Sequence, residues 1–314
     1  MLEIDTFLIT LYVLVDDFCK DHPLRSDEIH VWPCGRPCAL DRSEVLTLAI
    51  FGQWGRFQSE RGFYRFALER LRPLFPALPD RSQFVRAQAR YEPSLHAFTM
   101  SLPARLGAEA APYEALDRVG IATRRCGRRG GEWFAGQADK GLCGRLGFFW
   151  GFHLLDACTP EGVITGFGLS EASRKDQPMA EQFFHVRRAA EPTLPCIGTH
   201  GLWRTYVMDK GFSGPHLHRT WEVTYDVRVV GAPQAGHGPA WPQEWLRWLA
   251  SLRQIIETVH EKLLCAFRLA TDRPHGMPGL RIRLSAKVAL HNVCIWINRQ
   301  LQRPSLDFAT LLAW

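Results

Sequence analysis

The twelve residues GFFWGFHLLDAC (147–158) constrain this chain more than any other stretch. They are almost continuously apolar, and the turn signal TPEG follows at once. A run this long and this apolar reads as a central strand buried on both faces, which needs a sheet covered by helices on both sides. VITGFGL (163–169) reads as its hairpin partner, and YEALDRVGIAT (113–123) alternates as an earlier strand. Between the first two strands lies RRCGRRGGEWFAGQADKGLCGR, rich in glycine and strongly basic. Further on, the pattern predicts a helix near 178–190, a strand at 205–209, a short helix near 214–221 and a strand YDVRVVGA (225–232). A Pro/Gly-rich loop (231–242), a long helix (243–268) and a closing helix (281–301) complete it. The order implies an α/β domain over 109–301, built on a mixed five-stranded sheet flanked by helices, with 302–314 as a tail.

Residues 1–108 have another texture. Ile4, Phe7, Leu8, Leu11, Leu14, Val15 and Phe18 recur at helical spacing, and Asp41 and Ser43 stand where a helix cap belongs. RGFYRFALERLRPLF and DRSQFVRAQARYEPSLHAFTMSL add amphipathic, arginine-studded helices. An all-helical N-terminal region follows, with no catalytic spacing in it. The net charge of +6 is carried mostly by arginine, whose planar fork suits phosphate. Cys34 and Cys38 lie beside His30, but no second ligand pair follows at zinc-site spacing, so free thiols in a reducing cytoplasm are the simpler expectation. The start, MLEIDTF, lacks the basic region of a secretory signal, and no apolar run reaches membrane-spanning length. The expectation is a soluble, intracellular protein.

Three acids ask for explanation. If Ala115, Val119 and Ile121 face the core, Asp117 shares their face, where a lone carboxylate is costly unless paired or bound to metal. Asp209 ends the strand TYVM, and ligands gather beyond the carboxyl ends of such strands. Arg253, Glu257 and Glu261 follow one another at intervals of four on the long helix, stacked on one side. Each has a plain structural account, as a salt bridge, a turn or a solvated face. Taken together, two strand aspartates and a helix glutamate suit a divalent cation, because like charges held close repel unless a cation lies between them.

At these residues the sequence resembles the DDE transposases of bacterial insertion sequences, of the compact kind. The second-aspartate motif stands here as YVMDKGF and the third-acid helix as RQIIETVHEKL, 48 residues apart counted from Asp209 to Glu257. The strand pair WGFHLLDACTPEGVITGFGL, and the N-terminal stretches LYVLVDDFCK and LDRSEVLTLAIFGQWG, are similar as well. The resemblance implies a ribonuclease H-like catalytic domain with Asp117, Asp209 and Glu257 as catalytic metal ligands. It implies Mg²⁺, with Mn²⁺ as a substitute, as two ions. Asp176 and Glu261 are secondary candidates. Lys210, Arg253, Arg124, Arg125, Arg128, Arg129 and Trp133 are expected to contact DNA. Arg118 and Phe212 stand where relatives commonly carry serine and tyrosine, and neither change removes a ligand. The implied partners are double-stranded DNA, as terminal inverted repeats and target, and a second copy on the paired ends, in a bacterial cytoplasm at the nucleoid. A DNA-binding relict without chemistry, and a nuclease without strand transfer, are the alternatives.

Overall fold

The structure, a computed structural model, describes residues 1–24, 39–124, 134, 136–189, 204–212, 214–233 and 240–314. The chain parts into two compact units. One comprises Met1–Thr99, Ala266–Arg268 and Met277–Trp314; the other comprises Met100–Cys265 and Leu269–Gly276.

The first unit opens with a two-residue strand β1 (Leu2–Glu3) and the helices α1 (Ile4–Asp21), α2 (Arg42–Phe51), α3 (Glu60–Phe66) and α4 (Arg81–Arg90); α5 (Glu92–Arg105) follows, and the division after Thr99 falls within it. The stripe read in α1 is its buried face, with Phe7, Leu8, Leu11, Leu14, Val15 and Phe18 all enclosed. Asp41 caps α2 in a reciprocal box: its side chain accepts from the Glu44 backbone N–H while Glu44 accepts from the Asp41 N–H. Phe51, Phe57, Phe63 and Trp314 form an aromatic cluster.

The second unit holds the sheet: β2 (Glu114–Arg124), β3 (Asp139–Cys143), β4 (Gly147–Cys158), β5 (Ile164–Glu171), β6 (Arg204–Met208) and β7 (Val227–Val230). Between them run α6 (Asp176–Ala189), after β5, and α7 (Pro215–Tyr225), after β6; α8 (Gln243–Glu261) follows β7. The chain ends in the first unit with α9 (Met277–Gln300) and β8 (Leu312–Ala313), which pairs in parallel with β1.

The sheet is mixed. The central strand β2 is antiparallel to β4 and parallel to β6, and β7 continues in parallel beyond β6. On the other edge of β4 lie β3 and then β5, both antiparallel to it. The fold is α/β as the sequence implies, but among the described residues this sheet has six strands and not five. The additional strand, β3, lies in the glycine-rich segment. A Cβ at Gly141 would overlap the backbone of Ala172, so close approach requires the glycine there.

The apolar run of β4 is buried from Gly151 to Cys158, as a strand with helices on both faces must be. On one face Leu116, Leu155 and Ala157 pack with Met179, Phe183 and Phe184 of α6 and Trp221 of α7. The opposite face carries Asp117 and meets α8, which lies against β2, β4 and β6. Among the described residues, no helix is long and apolar enough to cross a membrane. Cys19, Cys143, Cys158, Cys265 and Cys294 are free thiols, while Cys34, Cys38 and His30 lie outside the described residues.

Candidate active site

Register decides which acids meet. β2 and β6 pair in parallel with Leu116 opposite Met208, so the next residues, Asp117 and Asp209, stand side by side where β6 ends. Adjacent positions on neighbouring strands share a sheet face. Asp209 then leaves into the short turn Lys210–Phe212, with Lys210 exposed beside it.

The α8 residue Arg253 reaches both acids. Its Nη2 lies 3.2 Å from Asp117 Oδ2 and its Nη1 3.2 Å from Asp209 Oδ1. One guanidinium therefore supplies the positive charge that two neighbouring carboxylates need. Burial still pushes the Asp117 carboxyl up from its ordinary value, and the Asp209 charge adds to the rise. His260, the backbone N–H of Arg118 and Arg253 act against it.

A test follows from that direction. A carboxyl raised on folding binds its proton more tightly in the folded chain, so stability falls as pH rises through the window above the ordinary carboxylate value. In the presence of a chelator, Asp117→Asn is expected to melt higher than the parent at neutral pH. The gain should shrink as pH falls and vanish below the ordinary carboxylate value of about 3.9, where both folded and unfolded carboxyls are protonated. Thermal melts across that range check it; a variant melting lower than the parent at neutral pH contradicts it.

Asp176 opens α6 at the same place. Its carboxylate pairs with Arg118 Nε. Burial pushes Asp176 up as well; Arg118 opposes this, while the charges of Asp117 and Asp209 reinforce it, so the three aspartates share one field. A Cβ at Gly211 would overlap Asp176 Oδ2. The glycine after Asp209 and Lys210 therefore leaves room for the Asp176 carboxylate as it stands, beyond easing a tight exit from the strand. Arg118 also donates from Nη1 to His153 Nδ1 (2.9 Å) and to the Arg174 carbonyl (3.1 Å). Burial, with the Arg118 charge, brings His153 down to about 4, so it is neutral and accepts.

Neither protein-family models nor curated proteins nor solved structures give a match.

Glu257 lies one turn beyond Arg253 on the same side of α8, with its side chain exposed. Its charge acts on His260. Glu261, a further turn on, is exposed too. Among the described residues, no three or more His, Cys, Asp or Glu side chains form a group able to hold a metal ion. The donors that do converge, Asp117 and Asp209, are hard carboxylate oxygens whose repulsion a cation relieves, and in that respect they fit Mg²⁺ or Mn²⁺. Arg124 ends β2, but its side chain, together with Arg125, Arg128, Arg129 and Trp133, lies outside the described residues.

Two site-side residues escape a reading of motifs. Asp156 of β4 is the direct partner of Asp117, is fully buried, and accepts from His260 Nε2 at 2.6 Å. A carboxylate inside a run buried on both faces was the available signal, because such a group requires a partner.

Proposed function

We propose that the chain is a DDE transposase whose ribonuclease H-like domain cuts DNA at the ends of an insertion sequence and joins the 3′-OH to target DNA. The observation that carries this reading is Arg253 held between Asp117 and Asp209, with Glu257 one turn further along the same helix. The sheet order supports it: β5, β4, β2, β6 and β7 in sequence across the sheet, with β4 running against the others. A short strand, β3, is added to that frame.

Asp117, Asp209 and Glu257 would hold Mg²⁺ or Mn²⁺. Two bound ions supply an activated water and stabilise charge on the attacking and leaving oxygens of an in-line phosphoryl displacement. The chain's own groups do the rest. Asp117 and Asp209 directly follow the paired residues Leu116 and Met208, so strand register brings them side by side. Arg253 keeps the two carboxylates together without an ion and offers a guanidinium for a DNA phosphate once one binds. Lys210, exposed at the strand exit, suits backbone phosphate. The proposed partners are element-end and target DNA, with a second copy of the chain on the paired end.

The Arg253 bridge also favours a second reading. In a DNA-binding relict, the guanidinium would stand in permanently for the ion. One experiment separates the two. Purified protein, incubated with labelled DNA from both flanks of its gene, should nick one strand with Mg²⁺ or Mn²⁺ and leave it whole with a chelator. Pre-cut ends should give joined products with target DNA. Binding without cutting in Mn²⁺ selects the relict, and cutting without joining selects a nuclease.

A further inference from the structure

We propose that His260 and Asp156 are positioning residues of this site, a buried pair that sets the rotation and register of α8 so that Glu257 stays on the side of the helix from which Arg253 reaches the two aspartates. The inference rests on the metal-dependent reading above. Asp156 and Asp117 are direct partners across an antiparallel pair, and directly opposed residues share a face with Cβ atoms about 4.5–5.5 Å apart. Both carboxylates therefore look toward α8. Asp117 is met there by Arg253 and Asp156 by His260.

Those two contacts sit at positions 253 and 260 of one helix, about 10 Å apart along its axis at 1.5 Å per residue. Glu257 lies between them, and all three side chains fall on one side of the helix. A helix tied at two polar points two turns apart can neither rotate nor slide without breaking one of them. The residue between the ties inherits that constraint.

Stability alone does not account for the choice of residues. Asp156 is fully buried, its Oδ2 has no hydrogen-bond partner among the described residues, and His260 is nearly enclosed. Apolar residues of similar volume commonly hold such a place at least as well as a buried ion pair. What apolar residues lack is direction, because dispersion contacts tolerate a small rotation that a 2.6 Å hydrogen bond does not.

The test is calorimetric titration of the full chain with Mn²⁺, without DNA and without turnover. In His260→Gln the amide nitrogen can take the place of Nε2, and affinity should stay close to the parent's. His260→Leu removes the tie and should weaken Mn²⁺ binding by about 10–100-fold, the range typical of lost support behind metal ligands. Should that variant fail to fold, the double variant Asp156→Leu/His260→Leu leaves no buried charge unpaired and should show the same weakening. Parent-like Mn²⁺ affinity in the folded His260→Leu chain, or in the double variant, overturns the positioning role and leaves the proposed function standing. A parent that binds no Mn²⁺ overturns the metal-dependent reading, and the positioning role falls with it.

Discussion

On the proposed function, Asp209→Asn is expected to leave element-end DNA uncut while still binding it. The substitution is close to isosteric at a partly exposed position, so the fold has little reason to change. What changes is charge. Asp117 keeps its contact with Arg253, but the neighbouring carboxylate that the proposed function assigns to a divalent cation is gone. Metal chemistry of this kind contributes several kcal/mol to the barrier, and each 1.36 kcal/mol is a factor of ten. The loss should therefore reach about a thousandfold or more. Binding should hold or tighten slightly, since one negative charge facing the DNA phosphates has been removed. Gel assays of strand cleavage and of end binding, on the same preparation, check both halves. Cleavage equal to the parent's removes Asp209 from the site. Loss of binding together with cleavage places it in DNA recognition instead.

Much of what brings these groups together was legible before any coordinates, and what was not has identifiable causes. The continuous apolar texture of 147–158 marks a strand covered on both faces, and alternation around Asp117 assigns that residue to the face of Ala115, Val119 and Ile121. The adjacency of Asp117 and Asp209 depends on Leu116 pairing with Met208 across 92 residues of chain, and no local pattern encodes a register between strands so far apart. Gly211 could be seen as a turn residue, but its close approach to Asp176 comes from another helix and has no trace in the neighbouring sequence. β3 is not legible because the glycine-rich segment around it reads as loop, whereas its one glycine, Gly141, lets the backbone pass close to Ala172. Arg253 was visible as part of a helix stripe, yet its reach to both aspartates is a property of how α8 crosses the sheet.

Arg187→Met is expected to cost about 3–5 kcal/mol of stability, the usual penalty for stranding one member of a buried ion pair. Arg187 comes from α6 and its side chain is only 11% exposed. Its Nη1 lies 2.5 Å from Glu114 Oε2 and 2.6 Å from the Tyr206 hydroxyl, and its Nη2 donates to the Thr165 hydroxyl at 2.9 Å and carbonyl at 3.1 Å. The Glu114 charge and these hydrogen bonds hold Arg187 charged against the opposing effect of burial. One side chain thus ties α6 to β2, β5 and β6. Methionine fills comparable space but removes the guanidinium charge 2.5 Å from the buried Glu114 carboxylate. At about 2–4 °C per kcal/mol for a unit of this size, the thermal midpoint should fall by roughly 6–20 °C. Glu114→Leu/Arg187→Met removes both charges and should recover much of the loss, because the larger part of the penalty belongs to a buried charge left without its opposite charge and not to the missing bridge. The position bears on the site as well. Glu114 and Tyr206 are register partners, three residues before Asp117 and Asp209 on the same two strands. Loosening their anchor should therefore weaken Mn²⁺ binding in the single variant and spare it in the double. Melting curves and metal titration on both variants check the argument; a single variant that melts with the parent would mean that Glu114 finds water or another donor when Arg187 is gone.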